Sequence, residues 1–218
     1  MRNTTMNKST LSIATVSISS LLFAGTALAD FQGFSIDEID SGLGIGTTYR
    51  VYVNLEEGDQ LDAVFGDGVD ILSIKSDSGF YQNQFGTYGA PSAALFDFFP
   101  SLRYDSFVTI GVLDDSAGDA MMDIGIDWTD FENNGGDIWT DNGTWFATPD
   151  DAQVMEVDGR VLIGQFTMTG WFTEGDVSLQ GKNADLTNWQ RRGVSFIPAP
   201  GAIALLGLAG VTVRRRRK

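Results

Sequence analysis

Apolar and polar residues alternate cleanly in several short stretches of the chain. Tyr49, Val51, Val53 and Leu55 fall on one side of an extended segment, with Arg50, Tyr52 and Asn54 on the other, so the spacing predicts a half-buried strand. Glu57-Gly58-Asp59 turns the chain, and 60–66 reads as the partner strand. Further strands are predicted at 71–75, from Gly79 to Asn83, at 104–112, over 160–168 and at 177–181, with a short one at 124–126. The segment from Asp30 to Gly46 reads as a mixed lead-in. Residues 89–100 read as a loop packed on the core, 114–123 as a loop rich in Asp and Gly, and 133–150 as a stretch with Trp139 and Trp145 between acidic turns. With 26 glycines in 218 residues and frequent Asp-Gly or Asn-Gly punctuation, long helices have no room outside the two ends. No repeat of fixed period appears. The expected fold is all-β: a single, jelly-roll-like β-sandwich.

The ends break this pattern. Arg2 and Lys8 precede an apolar, Ser-diluted run from Leu11 to Ala24, and Ala27-Leu28-Ala29 stands just before Asp30. That order is the three-part secretory signal, with Ala27 and Ala29 as the small residues of the cleavage site. At the other end, Phe196 to Val213 is 18 residues without a charge, closed by Arg214, Arg215, Arg216, Arg217 and Lys218. Such a run is long enough for a transmembrane-like helix whose terminal cations stay on the cytoplasmic side. The expected division is a signal peptide at 1–29, an acidic β-domain at 30–195 and a tail at 196–218.

Ile197-Pro198-Ala199-Pro200-Gly201, the apolar run and the Arg cluster resemble the PEP-CTERM sorting signal of Gram-negative bacteria. The family's Pro-Glu-Pro stands here as Pro198-Ala199-Pro200. The resemblance covers 196–218 and implies export by the general secretion machinery and processing by an exosortase-type membrane protease. The product would be held at the cell surface or released, anchored to the membrane only transiently and only through the tail. More loosely, Tyr49-Arg50-Val51-Tyr52, Asp59-Gln60-Leu61, 104–111 and 161–166 resemble an uncharacterised secreted β-rich domain of aquatic bacteria. That resemblance spans 47–181 and implies one domain and no activity.

Charge and composition narrow the chemistry. Of 14 Lys and Arg, seven sit in the two ends, while all 29 acidic residues lie between them, so the middle carries a net charge near −22. Nucleic acid is excluded as a partner, because a polyanion needs a basic surface. The chain has no Cys and no His. Thiolate and Ser-His-Asp catalysis and ordinary transition-metal ligation are therefore unavailable. What remains for a cofactor is oxygen ligation, which favours Ca²⁺. Asp114, Asp115 and Asp119, with Asp123, Asp127 and Asp130, are the candidate ligands. The plainer reading of these six is acidic turns. Trp128, Trp139 and Trp145 are candidate stacking platforms for sugar rings, against a role in the core. Asp97, among Phe96, Phe98 and Phe99, is a candidate carboxyl of raised pKa if buried.

No catalytic residue can be assigned. The leading expectation is a non-enzymatic secreted or cell-surface protein of the extracellular matrix. One alternative is a carbohydrate-binding module, calcium-supported, with extracellular polysaccharide as partner. Another is a secreted glycoside hydrolase using two carboxylates.

Overall fold

The computed structural model describes residues 31–197. The signal segment with Ala27 and Ala29 lies outside the described residues. So does the sorting motif, Pro198, Ala199, Pro200, Gly201 and Arg214, Arg215, Arg216 and Arg217.

The described chain is mostly β, as the alternation predicts: eleven strands in two antiparallel sheets, with one short helix. In order these are β1 Gly33–Asp40, β2 Thr47–Asn54, β3 Gln60–Gly66, β4 Leu72–Ser76, β5 Phe107–Val108 and β6 Met122–Ile124. Helix α1 Thr129–Asn134 follows, then β7 Ile138–Thr140, β8 Gly143–Phe146, β9 Arg160–Met168, β10 Phe172–Lys182 and β11 Asn188–Ser195. Among the described residues no helix is long and apolar enough to cross a membrane.

The first sheet has the order β1-β2-β9-β5. Its inward side carries the expected Tyr49, Val51 and Val53 of β2, with Val161, Ile163, Phe166 and Met168 of β9. The second sheet supplies Leu61, Val64, Leu72, Ile74, Ile138, Trp145, Phe172, Val177 and Leu179 to the same contiguous core. The hydrophobic effect therefore acts on both sheets through one shared interior.

Several expectations need correction. The lead-in is a strand, β1, paired along its whole length with β2. A second unforeseen strand, β11, pairs with β10. Both are edge strands, and both carry charge where an alternation signal would stand: Asp37, Glu38 and Asp40 in one, Arg191 and Arg192 in the other. Charged edges protect a sheet from pairing with other chains and erase the apolar period.

The strand expected over 104–112 shrinks to Phe107–Val108. Side chains of β9 take the carbonyls a longer ladder would use: Gln165 Nε2 donates to Arg103 O at 3.0 Å and Asp105 O at 2.9 Å, and Thr167 Oγ1 donates to Tyr104 O at 2.6 Å. This outer layer leaves both faces of β9 buried. The segment 79–83 is likewise not a strand, although Tyr81 N donates to Thr167 O at 2.7 Å.

Finally, Phe196 packs against the β-domain. It is buried, its amide donates to Gly175 O at 3.0 Å, and its ring meets Phe172 at 5.1 Å and Phe34 at 5.8 Å.

Candidate functional site

Strands β3 and β4 lie end to end against β10. Residues 60–65 pair with 182–178, and 73–76 with 176–172. Since β11 occupies the other edge of β10 down to Asp176, β3 and β4 share one edge as a single strand interrupted at 67–71. Strands β7 and β8 repeat the arrangement alongside β4 and β3.

Registers then place side chains on the outward face. Gln190 faces Gln180, Gln180 faces Ala63, Ala63 faces Phe146, and Phe146 faces Met122. A parallel row runs Ser178, Phe65, Thr144, Ile124. Residues between these positions, Leu179, Val64 and Trp145, point into the core, as the period of two requires. Phe65 and Phe146 are half-buried, Met122 and Ile124 exposed. The outward face of an acidic protein thus carries an apolar strip flanked by two amides.

The strip floors two adjoining hollows. One, of ≈330 Å³, is lined by Asp62, Ala63, Phe146, Pro149, Gln180 and Gln190. The other, of ≈310 Å³, is lined by Asp67, Ile124, Asn142 and Gly143, and both share Phe65 and Thr144. Asp62 reaches the first hollow because the ladder is irregular there: Leu61 pairs with Gly181 and Ala63 with Gln180, leaving Asp62 as the extra residue of a bulge. Gly181 makes the bulge sterically feasible, since a Cβ there would stand 1.9 Å from Gln60 O. Asp62 is buried and accepts from Gln60 Nε2 at 2.6 Å. Desolvation raises its pKa, and the Gln60 hydrogen bond and the Lys182 charge only partly oppose this.

The loop 67–71 walls the other end. Asp67 accepts from the amides of Val69 at 2.9 Å and Asp70 at 3.0 Å, and Arg192 of β11 ties the loop down through ion pairs to Asp67 and, at 3.0 Å, to Asp70. The backbone donors and Arg192 together hold the Asp67 carboxyl below its ordinary range.

The structure does not gather the six candidate metal ligands. Asp114 accepts from Ser116 N, Asp115 from Ala93 N, Asp119 from Met121 N, Asp127 from Thr129 N and Asp130 from Asn134 Nδ2. Asp123 joins Tyr88, whose hydroxyl donates at 2.7 Å, to Trp128, whose indole donates at 3.0 Å; this bond to Asp123 pushes the Tyr88 pKa up to about 12. Each carboxylate thus accepts from at least one of the chain's own donors. Among the described residues no three acidic side chains converge on a point that could hold a metal ion.

The stacking candidates divide. Trp145 and Trp128 are core residues, 0% and 7% exposed, and have no free face to offer. Trp139, 51% exposed, stands opposite Ser73 on the outward face but beyond the loop 67–71. Asp97 is exposed beside Arg103 at 3.7 Å, while Phe96 is buried, Phe99 half-buried and Phe98 exposed. Phe65, Phe146, Gln180 and Gln190 were not singled out from the sequence. Their signal was an aromatic on the polar side of the β3 alternation, where Phe65 flanks Val64.

No family model matches this chain, and neither the curated proteins nor the solved structures contain a significant match.

Proposed function

We propose that the protein is an exported, non-catalytic binding module, a jelly-roll-like sandwich that holds neutral polysaccharide in the groove on the outward face of its second sheet. The observation that carries this reading is the row Gln190–Gln180–Ala63–Phe146–Met122. Aromatic and apolar side chains pack on the C–H faces of sugar rings, and amides supply donor and acceptor together to hydroxyls. The two adjoining hollows, shallow and open along the strip, suit a chain better than a compact small molecule. The acidity of the middle favours a neutral polymer, since an anionic one would be repelled. The terminal patterns support delivery to the cell surface or beyond, through the secretion machinery and an exosortase-type protease.

A hydrolase is less well supported. The acidic residues of the groove are Asp62 and Asp67, five positions apart along an extended strand, or about 16 Å. Paired glycosidase carboxylates stand roughly 5–9.5 Å apart.

Affinity electrophoresis through soluble glucans, xylans and mannans, with alginate as the anionic control, tests the reading. A neutral polymer should retard the protein, and Phe146→Ala and Gln180→Ala should each weaken retention at least fivefold. Trp139→Ala, beyond the loop, should leave it unchanged. Absence of retardation by every polymer, or full retention by both groove variants, would refute the proposal.

A further inference from the structure

Strand β3 changes phase at Asp62. Leu61 and Val64 both point into the core, although residues three apart fall on opposite faces of a regular strand. The extra residue absorbs the mismatch, and both Asp62 and Ala63 line the first hollow. A regular ladder continued from Ala63 would point Asp62 into the core. The bulge points it at the hollow instead.

One donor holds the carboxyl group. Gln60 Nε2 gives one proton to Asp62 Oδ1 at 2.6 Å and the other to Pro149 O at 3.2 Å. That fixes the amide, since a flip would set its oxygen against two acceptors. Among the described residues Asp62 Oδ2 has no hydrogen-bond partner. It is not one of the buried unpartnered atoms, although the residue is only 6% exposed, so this oxygen opens on the hollow. The unpartnered indole donor of Trp189 belongs to the core side of the sheet and does not reach it. No Lys or Arg nitrogen of the described residues lies within 4.0 Å of the carboxylate, and Lys182 of β10 acts on it from farther away. The other side chains packed around it, Gln60, Phe146, Pro149, Gln180 and Gln190, carry no charge, and Asp150 lies exposed beyond Pro149.

A desolvated carboxylate oxygen that faces a hollow is short of a donor. The hollow holds no second carboxylate, and no acidic cluster among the described residues could hold a metal ion. What fits is a neutral O–H. Gln190 Nε2 donates to Gln180 Oε1 at 3.4 Å, which leaves Gln180 Nε2 to donate to a ligand. A sugar hydroxyl can give its proton to the carboxylate and accept from an amide at once.

We infer that Asp62 sets the specificity of the groove: Oδ2 accepts the proton of one free hydroxyl on a neutral sugar ring that packs against Phe146. The inference rests on the polysaccharide reading of the groove and adds the polar group that selects the ring.

The test measures dissociation constants by calorimetry for the full 218-residue chain with soluble cello-, xylo- and manno-hexaoses. At about pH 8, Asp62→Asn should weaken the best of these about tenfold or more, because Asn keeps an oxygen toward Gln60 but turns a donor toward the hollow and lacks the charge. Its urea midpoint should not fall, since a desolvated charge has been removed. The parent's affinity should decline on acidification toward about pH 4. Only the ionised carboxyl accepts the hydroxyl, and desolvation holds the free group above its ordinary 3.8 against the Gln60 hydrogen bond and Lys182. The variant should lack this decline, so that the two constants converge in acid. Asp105 titrates in both proteins and cancels. If Asp62→Asn does not fold, the same decline measured in Asp105→Asn decides the question. A parent that binds none of the three sugars would sink the groove reading and this inference with it. A parent that binds, with Phe146→Ala impaired but Asp62→Asn equal to the parent or declining in parallel with it, would leave the groove standing and overturn the role of Asp62. An Asp105→Asn protein whose affinity ignores pH would overturn it as well.

Discussion

Replacing Asp105 by Asn should abolish most of the pH dependence of stability between about pH 4 and pH 7. Asp105 is fully buried; its Oδ1 accepts from Asn83 N at 2.6 Å, and its Oδ2 has no partner. Gly86 closes over that second oxygen so tightly that a Cβ there would lie 1.6 Å from it. Desolvation therefore outweighs the backbone donors of Asn83 and Ser106, and the pKa rises from 3.8 to about 7. The sign follows from proton counting. Between these two values the folded state keeps a proton that the unfolded chain has lost, so stability falls as pH rises and levels off above about pH 7. A rise of about three units corresponds to roughly 4 kcal/mol, an upper bound that relaxation should reduce to about 2–4 kcal/mol.

In Asp105→Asn the oxygen facing Asn83 is retained, while an amide nitrogen replaces Oδ2 with no acceptor, costing about 1–3 kcal/mol at every pH. The variant should therefore be less stable than the parent near pH 4.5 and equal or more stable near pH 8.5. Urea midpoints across that range, converted with a common slope, measure the crossing. Asp62, also raised by desolvation, tilts both proteins alike and cancels in the difference. Parallel stability curves for the two proteins would refute the argument.

Two further predictions rest on side chains at opposite extremes of burial. Trp145 is wholly buried and its indole donates to Thr109 O at 3.1 Å, so Trp145→Ala should cost about 3–5 kcal/mol in urea unfolding; a cost below about 1 kcal/mol would mean that the core does not rely on it. Arg192 ties down the loop 67–71 through partly exposed ion pairs, so Arg192→Ala should change stability by less than about 1 kcal/mol. Amide exchange at Val69 and Asp70 should nevertheless quicken several-fold, and unchanged exchange there would show that the backbone hydrogen bonds of Asp67 suffice.

The sequence by itself determined the class of fold and the strands that dominate its interior. Tyr49, Val51 and Val53 alternate because one side of β2 is buried, and the continuous run from Val161 to Met168 matches a strand covered on both faces. The absence of Cys and His likewise restricted the chemistry before any geometry was known. Tertiary structure alone decided the rest, because the deciding partners are far apart in the chain. The edge strands β1 and β11 exist through pairing, not through an apolar period of their own. Trp145 and Phe146 are adjacent, yet one is core and the other groove, and only the register with Ala63 and Val64 says which. The acidic residues that look most like ligands, Asp114 to Asp130, accept from amides, an indole and a phenol close around them. Buried oxygens without a partner lie elsewhere among the described residues, on Asp59, Asp105, Thr109 and Asn183. Whether a polar atom is satisfied depends on what the fold brings to it, and a linear pattern does not carry that information.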